Sequence, residues 1–172
     1  MTEKKKPKLK PVTTIEMEVA ISHMFGIRQH VIVPNLSWGF DGMHECDLFI
    51  VKKSGVAVEV EIKRTKSDFL KDFSKGHNHV DRNNRITEFY YAFPENILEK
   101  CIENVPEHAG VISCSKFLDY KKQERVTASI ERKPKRIKNA RKLTKEEQFK
   151  VARLGCIRIM PLKEKIIKLT NG

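Results

Sequence analysis

Cysteine is sparse and scattered in this chain of 172 residues: Cys46, Cys101, Cys114 and Cys156 stand far apart, with no C-x-x-C pair. Such spacing argues against a cysteine-built zinc site and against a disulfide framework. Single thiols in largely apolar runs read instead as buried free cysteines of a reducing compartment. Long hydrophobic runs are also missing. No stretch approaches a membrane span and no signal-peptide core follows the basic start, so a cytoplasmic protein with no membrane partner is expected. There is no internal repeat. Tryptophan occurs once, at Trp38. Acid is short relative to base: 22 Asp and Glu against 34 Lys and Arg leave a net charge of +12. A surplus of that size points to a polyanionic partner, most often nucleic acid.

The length fits one domain with a real core. Residues 1–11 are lysine-rich and nearly devoid of apolar side chains, the composition of a disordered basic arm. Residues 12–118 carry the compact α/β pattern. Residues 119–172 form a basic extension with a helix, packed on or continuous with that core. Within it, Arg132 to Lys142 holds seven Lys or Arg in eleven residues, the composition of a flexible phosphate-binding strap. Arg132, Lys133, Lys135 and Arg136 are its candidate phosphate contacts; a solubilising basic surface is the plainer alternative. Thr144 to Glu147 reads as a capping box for a helix running to about Leu154, where Gly155 ends or kinks it and Phe149 serves the core face.

The chemistry concentrates near two runs. Val58, Val60 and Ile62 alternate with Glu59, Glu61 and Lys63, the period of a strand. Cys46 to Val51 is a second apolar run, and Lys53-Ser54-Gly55 between them is turn material. A hairpin turning there brings Asp47 beside Glu61 and Lys63. Two carboxylates offer hard oxygen donors for Mg²⁺ or Mn²⁺, which polarises a phosphoryl oxygen and acidifies a bound water. Lys63 can orient that water or offset phosphate charge. A solvated hairpin explains the same alternation in plainer terms, and Glu59 lies deeper on the face of Glu61 as a further ligand, a salt-bridge partner or a mark of a wet face.

A helix from Ile15 to Phe25 follows a cap at Thr13 or Thr14 and stops at Gly26. Ile15, Glu18, Ile21 or Ser22, and Phe25 fall along one face, so Glu18 is the first choice for a third acid and Glu16 the second. Gln29 to Leu36 reads as the first strand. Trp38 either stacks on a base or plugs a loop over the core, and His44 and Glu45 either ligate metal, help shape the site around Asp47 or simply mark an exposed strand entrance. Beyond Lys63, Ser67 caps a helix whose Phe69 and Phe73 face the core. Arg64, Lys66 and Lys71 border the candidate site and suit phosphate. His77 and His79 make a weak zinc signal; phosphate contact or water positioning suits them better, a polar exposed loop is the plainer alternative, and Arg82 follows as a further phosphate contact. A strand at Arg85–Phe93, apolar on both faces, is internal to the sheet. Pro94 then opens a helix, and Gly110–Cys114 is a short buried strand.

This order resembles the restriction-endonuclease-like superfamily with its PD-(D/E)xK core, and most closely the MmcB-like DNA-repair nucleases with related phage and bacterial proteins. Cys46-Asp47-Leu48, Val60-Glu61-Ile62-Lys63, Ser67-Asp68-Phe69 with Asp72, Asp81-Arg82 and Phe89-Tyr90-Tyr91-Ala92-Phe93-Pro94 carry the resemblance, which spans roughly residues 13–115. Cys46 stands where the motif expects proline. The resemblance implies an α/β fold: a restriction-endonuclease-like mixed β-sheet flanked by helices, with a basic C-terminal extension. It implies Asp47, Glu61 and Glu18 as metal ligands, with Lys63 as the catalytic lysine. The expected function is a Mg²⁺- or Mn²⁺-dependent DNA endonuclease of repair or recombination. The alternative is a DNA-binding protein on a nuclease-derived fold with little cleavage; an RNA binder is a third class. A homodimer is left open.

Overall fold

The computed structural model describes residues 9–36, 45–74 and 84–170, without the side chains of residues 72–74. Most of the basic arm, Trp38, His44, His77, His79, Asp81 and Arg82 lie outside the described residues, as do the side chains of Asp72 and Phe73.

The chain runs α1 (Thr14–Phe25), β1 (Val31–Leu36), β2 (Cys46–Val51), β3 (Ala57–Ile62), α2 (Lys66–Ser74), β4 (Ile86–Pro94), α3 (Glu95–Cys101), a 3-10 turn (Ile102–Asn104), β5 (Gly110–Leu118), β6 (Glu124–Arg132), α4 (Lys145–Ile157) and α5 (Ile159–Thr170). The described strands form one mixed sheet in the order β1-β2-β3-β4-β5-β6. β1, β2 and β3 pair antiparallel, β3, β4 and β5 pair parallel through α2 and α3, and β6 closes antiparallel on β5. The protein is therefore an α/β fold with a partly parallel sheet flanked by helices.

Side-chain alternation splits the core in two. Val58, Val60 and Ile62 join Leu48, Ile50, Tyr90, Ala92 and Ile112 under Met17 and Ile21 of α1. The other face packs Phe49, Phe89, Tyr91 and Phe93 against Phe69 of α2, Cys101 of α3 and Val151 of α4. Phe69 meets Tyr91 and Phe93 edge-on, at 5.1 Å from each ring. These are favoured quadrupole geometries, and they fix α2 on the sheet.

Both ends of α1 follow from their residues. Thr13 caps it in a reciprocal box with Glu16, and Gly26 closes it at φ 82°, a left-handed geometry that suits glycine. The buried stripe differs from the expected one: Met17, Ala20 and Ile21 face the sheet, and Ile15 is 71% exposed. The helix offers two apolar stripes, and the sheet takes the one with the longer unbranched Met17. Glu18 sits at the border of that stripe, half-buried.

The extension departs furthest from expectation. β5 continues past Cys114 to Leu118 and hairpins into β6, a strand the composition hides. Val126, Ala128 and Ile130 alternate with polar residues there, and the outer edge is wet. Beyond it, residues 133–143 are not a loose strap. Backbone N–H groups of Lys135, Ile137, Arg141 and Leu143 donate to the carbonyls of His108, Thr87, Asn84 and Gly55. Ile137 and Leu143 are buried. The segment thus crosses the sheet edge where β4 and β5 begin. Arg141 grips Glu147 with both nitrogens, at 2.7 and 2.6 Å, and Arg85 shares that carboxylate at 2.8 Å. With the capping box of Thr144 and Glu147, this anchors the start of α4. Contrary to expectation, Phe149 is 71% exposed and Val151 takes the core position. Gly155 ends nothing; α4 runs through it to Ile157.

At Gly110 a Cβ would lie 2.5 Å from the ring of Tyr90 and 3.0 Å from the Arg132 carbonyl oxygen. Tyr90 is held in turn against Phe25, edge-on at 5.7 Å. Gly110→Ala is therefore expected to cost about 1–3 kcal/mol, the usual range for overpacking. Urea denaturation checks it; an unchanged midpoint would show that Tyr90 yields freely.

Candidate functional site

The β2–β3 hairpin turns at Gly55, whose φ of 86° and N–H donated to the Lys52 carbonyl, with the Lys52 N–H donated to Val56, make a tight reversal. Register then sets Leu48 opposite Val60, which brings Asp47 and Glu61 to the same end. Asp47 Oδ2 accepts a 2.7 Å hydrogen bond from the Ile62 backbone N–H. Lys63 Nζ lies 3.1 Å from Glu61 Oε2, both side chains being buried. One residue on, the Lys63 N–H donates to Ala92, so the strand end is tied to β4 as well. Glu59, fully buried, lies deeper in the same strand and hydrogen-bonds the Cys46 thiol.

Burial of like charge dominates the electrostatics. Desolvation, then the charges of Asp47 and Glu59, push the Glu61 carboxyl up to about 8 against the pull of Lys63. Asp47 is raised by burial, opposed by its bond from Ile62 and by the Lys63 charge, with Asp68 and Glu45 adding repulsion. Glu18 is raised by burial and then by Asp47. These mutual effects link the helix acid to the hairpin. Glu16 goes elsewhere: its carboxylate takes a bond from Lys116 and the backbone bond of the Thr13 cap, and is held down at about 2.

The fit to a divalent cation can be judged from the donors. Among the described residues, no group of three or more His, Cys, Asp or Glu is gathered to hold a metal ion. Glu18 lines a cleft of about 190 Å³ with Ser22, His23, Pro34 and Leu48. A protein-only cage of Glu18, Asp47 and Glu61 is therefore not assembled in this arrangement. Asp47 and Glu61 remain a suitable hard pair, because Mg²⁺ is commonly held by one or two carboxylates, with waters and substrate phosphates filling its octahedron.

The basic residues divide between two edges of the sheet. Arg64, Lys66 and Lys71 are exposed just beyond Lys63, on the acidic side. The four strap cations belong to the opposite edge. Arg132 donates to the carbonyls of Ala109, Val105 and Pro106, a structural clasp rather than an open phosphate contact. Lys135 pairs with Glu107 at 2.7 Å. Lys133 and Arg136 line a cleft of about 440 Å³ with Lys52, Glu88 and Tyr90. Charge composition could not separate these groups, since the carbonyls that Arg132 satisfies belong to a distant loop.

No family model matches the chain, and no curated protein matches its sequence. A solved protein of unknown function from Silicibacter pomeroyi shares the fold at a TM-score of 0.60 and 13% identity, over 96% of this chain and 97% of that one. That likeness bears on the fold alone.

Because the folded chain holds the Glu61 proton more tightly than an unfolded one, its stability falls as pH rises from the ordinary 4.5 to about 8. With EDTA present, the thermal midpoint of the parent should drop from about pH 5 to about pH 8. Glu61→Gln should reduce that drop by roughly 4 °C or more, since a tenfold change in proton affinity corresponds to ~1.4 kcal/mol. Parallel pH profiles for parent and variant would assign the titration to another group.

Proposed function

We propose that this chain is a DNA-binding protein on a nuclease-like fold, with little hydrolysis of its own in the arrangement described. The observation that carries the reading is the placement of exposed Arg64 and Lys66 immediately beyond Lys63, at the sheet edge of the acidic pair. A chain of net charge +12 meets DNA mainly through phosphates, and exposed cations beside the site would position the duplex. The restriction-endonuclease-like assignment is part of this proposal. It rests on the order of helix, three strands, helix and strand, with Glu18, Asp47, Glu61 and Lys63 at the matching places.

The buried acids favour a second reading, a Mg²⁺- or Mn²⁺-dependent endonuclease of repair or recombination. Carboxylates packed together and pushed toward their protonated forms gain from a cation. When bound, the cation would polarise the phosphate and supply a hydroxide-like water. Asp47 and Glu61 would hold it, and Lys63 would donate to the developing phosphate charge. Asp47 and Glu61 have present engagements, with the Ile62 N–H and Lys63. DNA binding is therefore placed first and cleavage second.

Affinity for duplex DNA measured over a salt series, followed by incubation of supercoiled, single-stranded and branched DNA with Mg²⁺, Mn²⁺ or EDTA, separates the readings. Arg64→Ala with Lys66→Ala should flatten the dependence of log K on log salt by about two units, near 0.9 for each phosphate that is no longer neutralised. Little nicking is expected from the parent. Rapid metal-dependent cleavage abolished by Asp47→Asn or Glu61→Gln would make the endonuclease reading the right one. Absence of DNA binding at low salt would remove both.

A further inference from the structure

Helix α5 carries an apolar stripe that the described residues leave uncovered. Ile159, Leu162, Ile166 and Leu169 recur at steps of three and four residues and are 49%, 57%, 58% and 83% exposed. In heptad notation isoleucine fills both a positions and leucine both d positions, the choice that favours two-stranded helix pairing. Scattered apolar side chains are normal on a surface, but a continuous stripe marks a contact face. The stripe does not extend back along α4. The preceding d position is Gly155, where a Cβ would come within 3.0 Å of Val33 Cγ2, so that residue is turned to the sheet. Arg158, at the joint, donates to the Asn35 carbonyl of β1 and fixes where α5 departs.

The flanks of the stripe are basic. Lys163 occupies the e position and Lys165 the g position, and Arg158, held on the Asn35 carbonyl just before the helix, adds positive charge at the joint. We propose that α5 docks a partner helix bearing an isoleucine–leucine seam flanked by glutamate or aspartate. Flanking charges decide partner choice in such pairs. An antiparallel second copy would set lysine flank against lysine flank, and a parallel one would bring Lys163 toward the positive joint of its neighbour. Both juxtapose like charge, which an acidic partner converts to attraction. A lipid surface fits less well. Lys163 divides the stripe from Met160 and Ile167, whereas helix pairing leaves Lys163 at the rim. DNA offers nothing to the apolar seam. The proposal does not depend on the DNA-binding reading, since it uses no residue of the acidic centre.

The test titrates the full chain into three labelled synthetic helices of three heptads, followed by fluorescence anisotropy. One has Ile at a, Leu at d and Glu at e and g. The second replaces Glu by Lys, and the third keeps Glu but has Ala at a and d. The first should bind saturably and on the order of tenfold more tightly than the second, and the third should not bind. The double variant Leu162→Asp with Ile166→Asp should lose binding while keeping the parent's melting midpoint and DNA affinity, because among the described residues α5 packs mainly on α4. Equal binding of the Glu- and Lys-flanked helices, or undiminished binding by the variant, overturns the proposal. So does a concentration-dependent dimer, seen by sedimentation and abolished by the variant, which would make a second copy the occupant. Co-sedimentation with phosphatidylserine vesicles, lost in the variant, would assign the stripe to lipid instead.

Discussion

A single carboxylate-to-backbone bond holds the acidic end of the sheet in place. Asp47 Oδ2 takes the Ile62 N–H at 2.7 Å, where the β2–β3 ladder runs out of register partners. The next residue gives its own N–H to Ala92 of β4. β3 is thereby fastened on both sides at its last turn, antiparallel to one neighbour and parallel to the other. Glu61 and Lys63, two apart on one face, are carried into the interior by that fastening. Their burial follows from strand pairing and the aromatic layer beyond it, rather than from any affinity between the charges. Desolvation of such a pair usually costs more than its attraction returns, so the region is under electrostatic tension that a ligand could relieve.

Much of this was legible in the residues. The alternation of Val58, Val60 and Ile62 gave β3, Lys53-Ser54-Gly55 gave the turn, and together they brought Asp47 to Glu61. Thr13 and Gly26 announced both ends of α1, and Thr144 with Glu147 announced α4. The order of elements from α1 to β5 also followed from periodicity. Helix facing was harder. Ile15 and Met17 each begin a plausible stripe, and only the shape of the sheet decides between them. The burial of Glu59 was not readable, because alternating charge describes a wet face as well as a buried one.

In the basic extension the placing of single cations was illegible for a different reason. Lysine and arginine have the composition of solvated or phosphate-bound surface, yet their roles depend on partners remote in sequence. Arg132 finds its acceptors at Val105, Pro106 and Ala109, and Arg141 finds Glu147. A guanidinium with five donors can satisfy several carbonyls at a loop end, and this is how the segment after β6 is laid along the sheet. The net charge of the chain thus says that a polyanion would be attracted, and little about where it would lie.

The position of β6 at the margin of the sheet carries a consequence for solubility. A marginal strand offers its outer row of amide and carbonyl groups to any passing chain, a common origin of ordered aggregates. β6 is bracketed by Glu124 and Arg125 at one end and by Glu131 and Arg132 at the other, and its outward positions are mostly polar. Bringing a second chain into ladder register would crowd or desolvate these charges. The strand so poor in apolar content that it is hard to recognise is, for the same reason, a poor template for further strands. Concealment from pattern reading and resistance to aggregation have one chemical cause here.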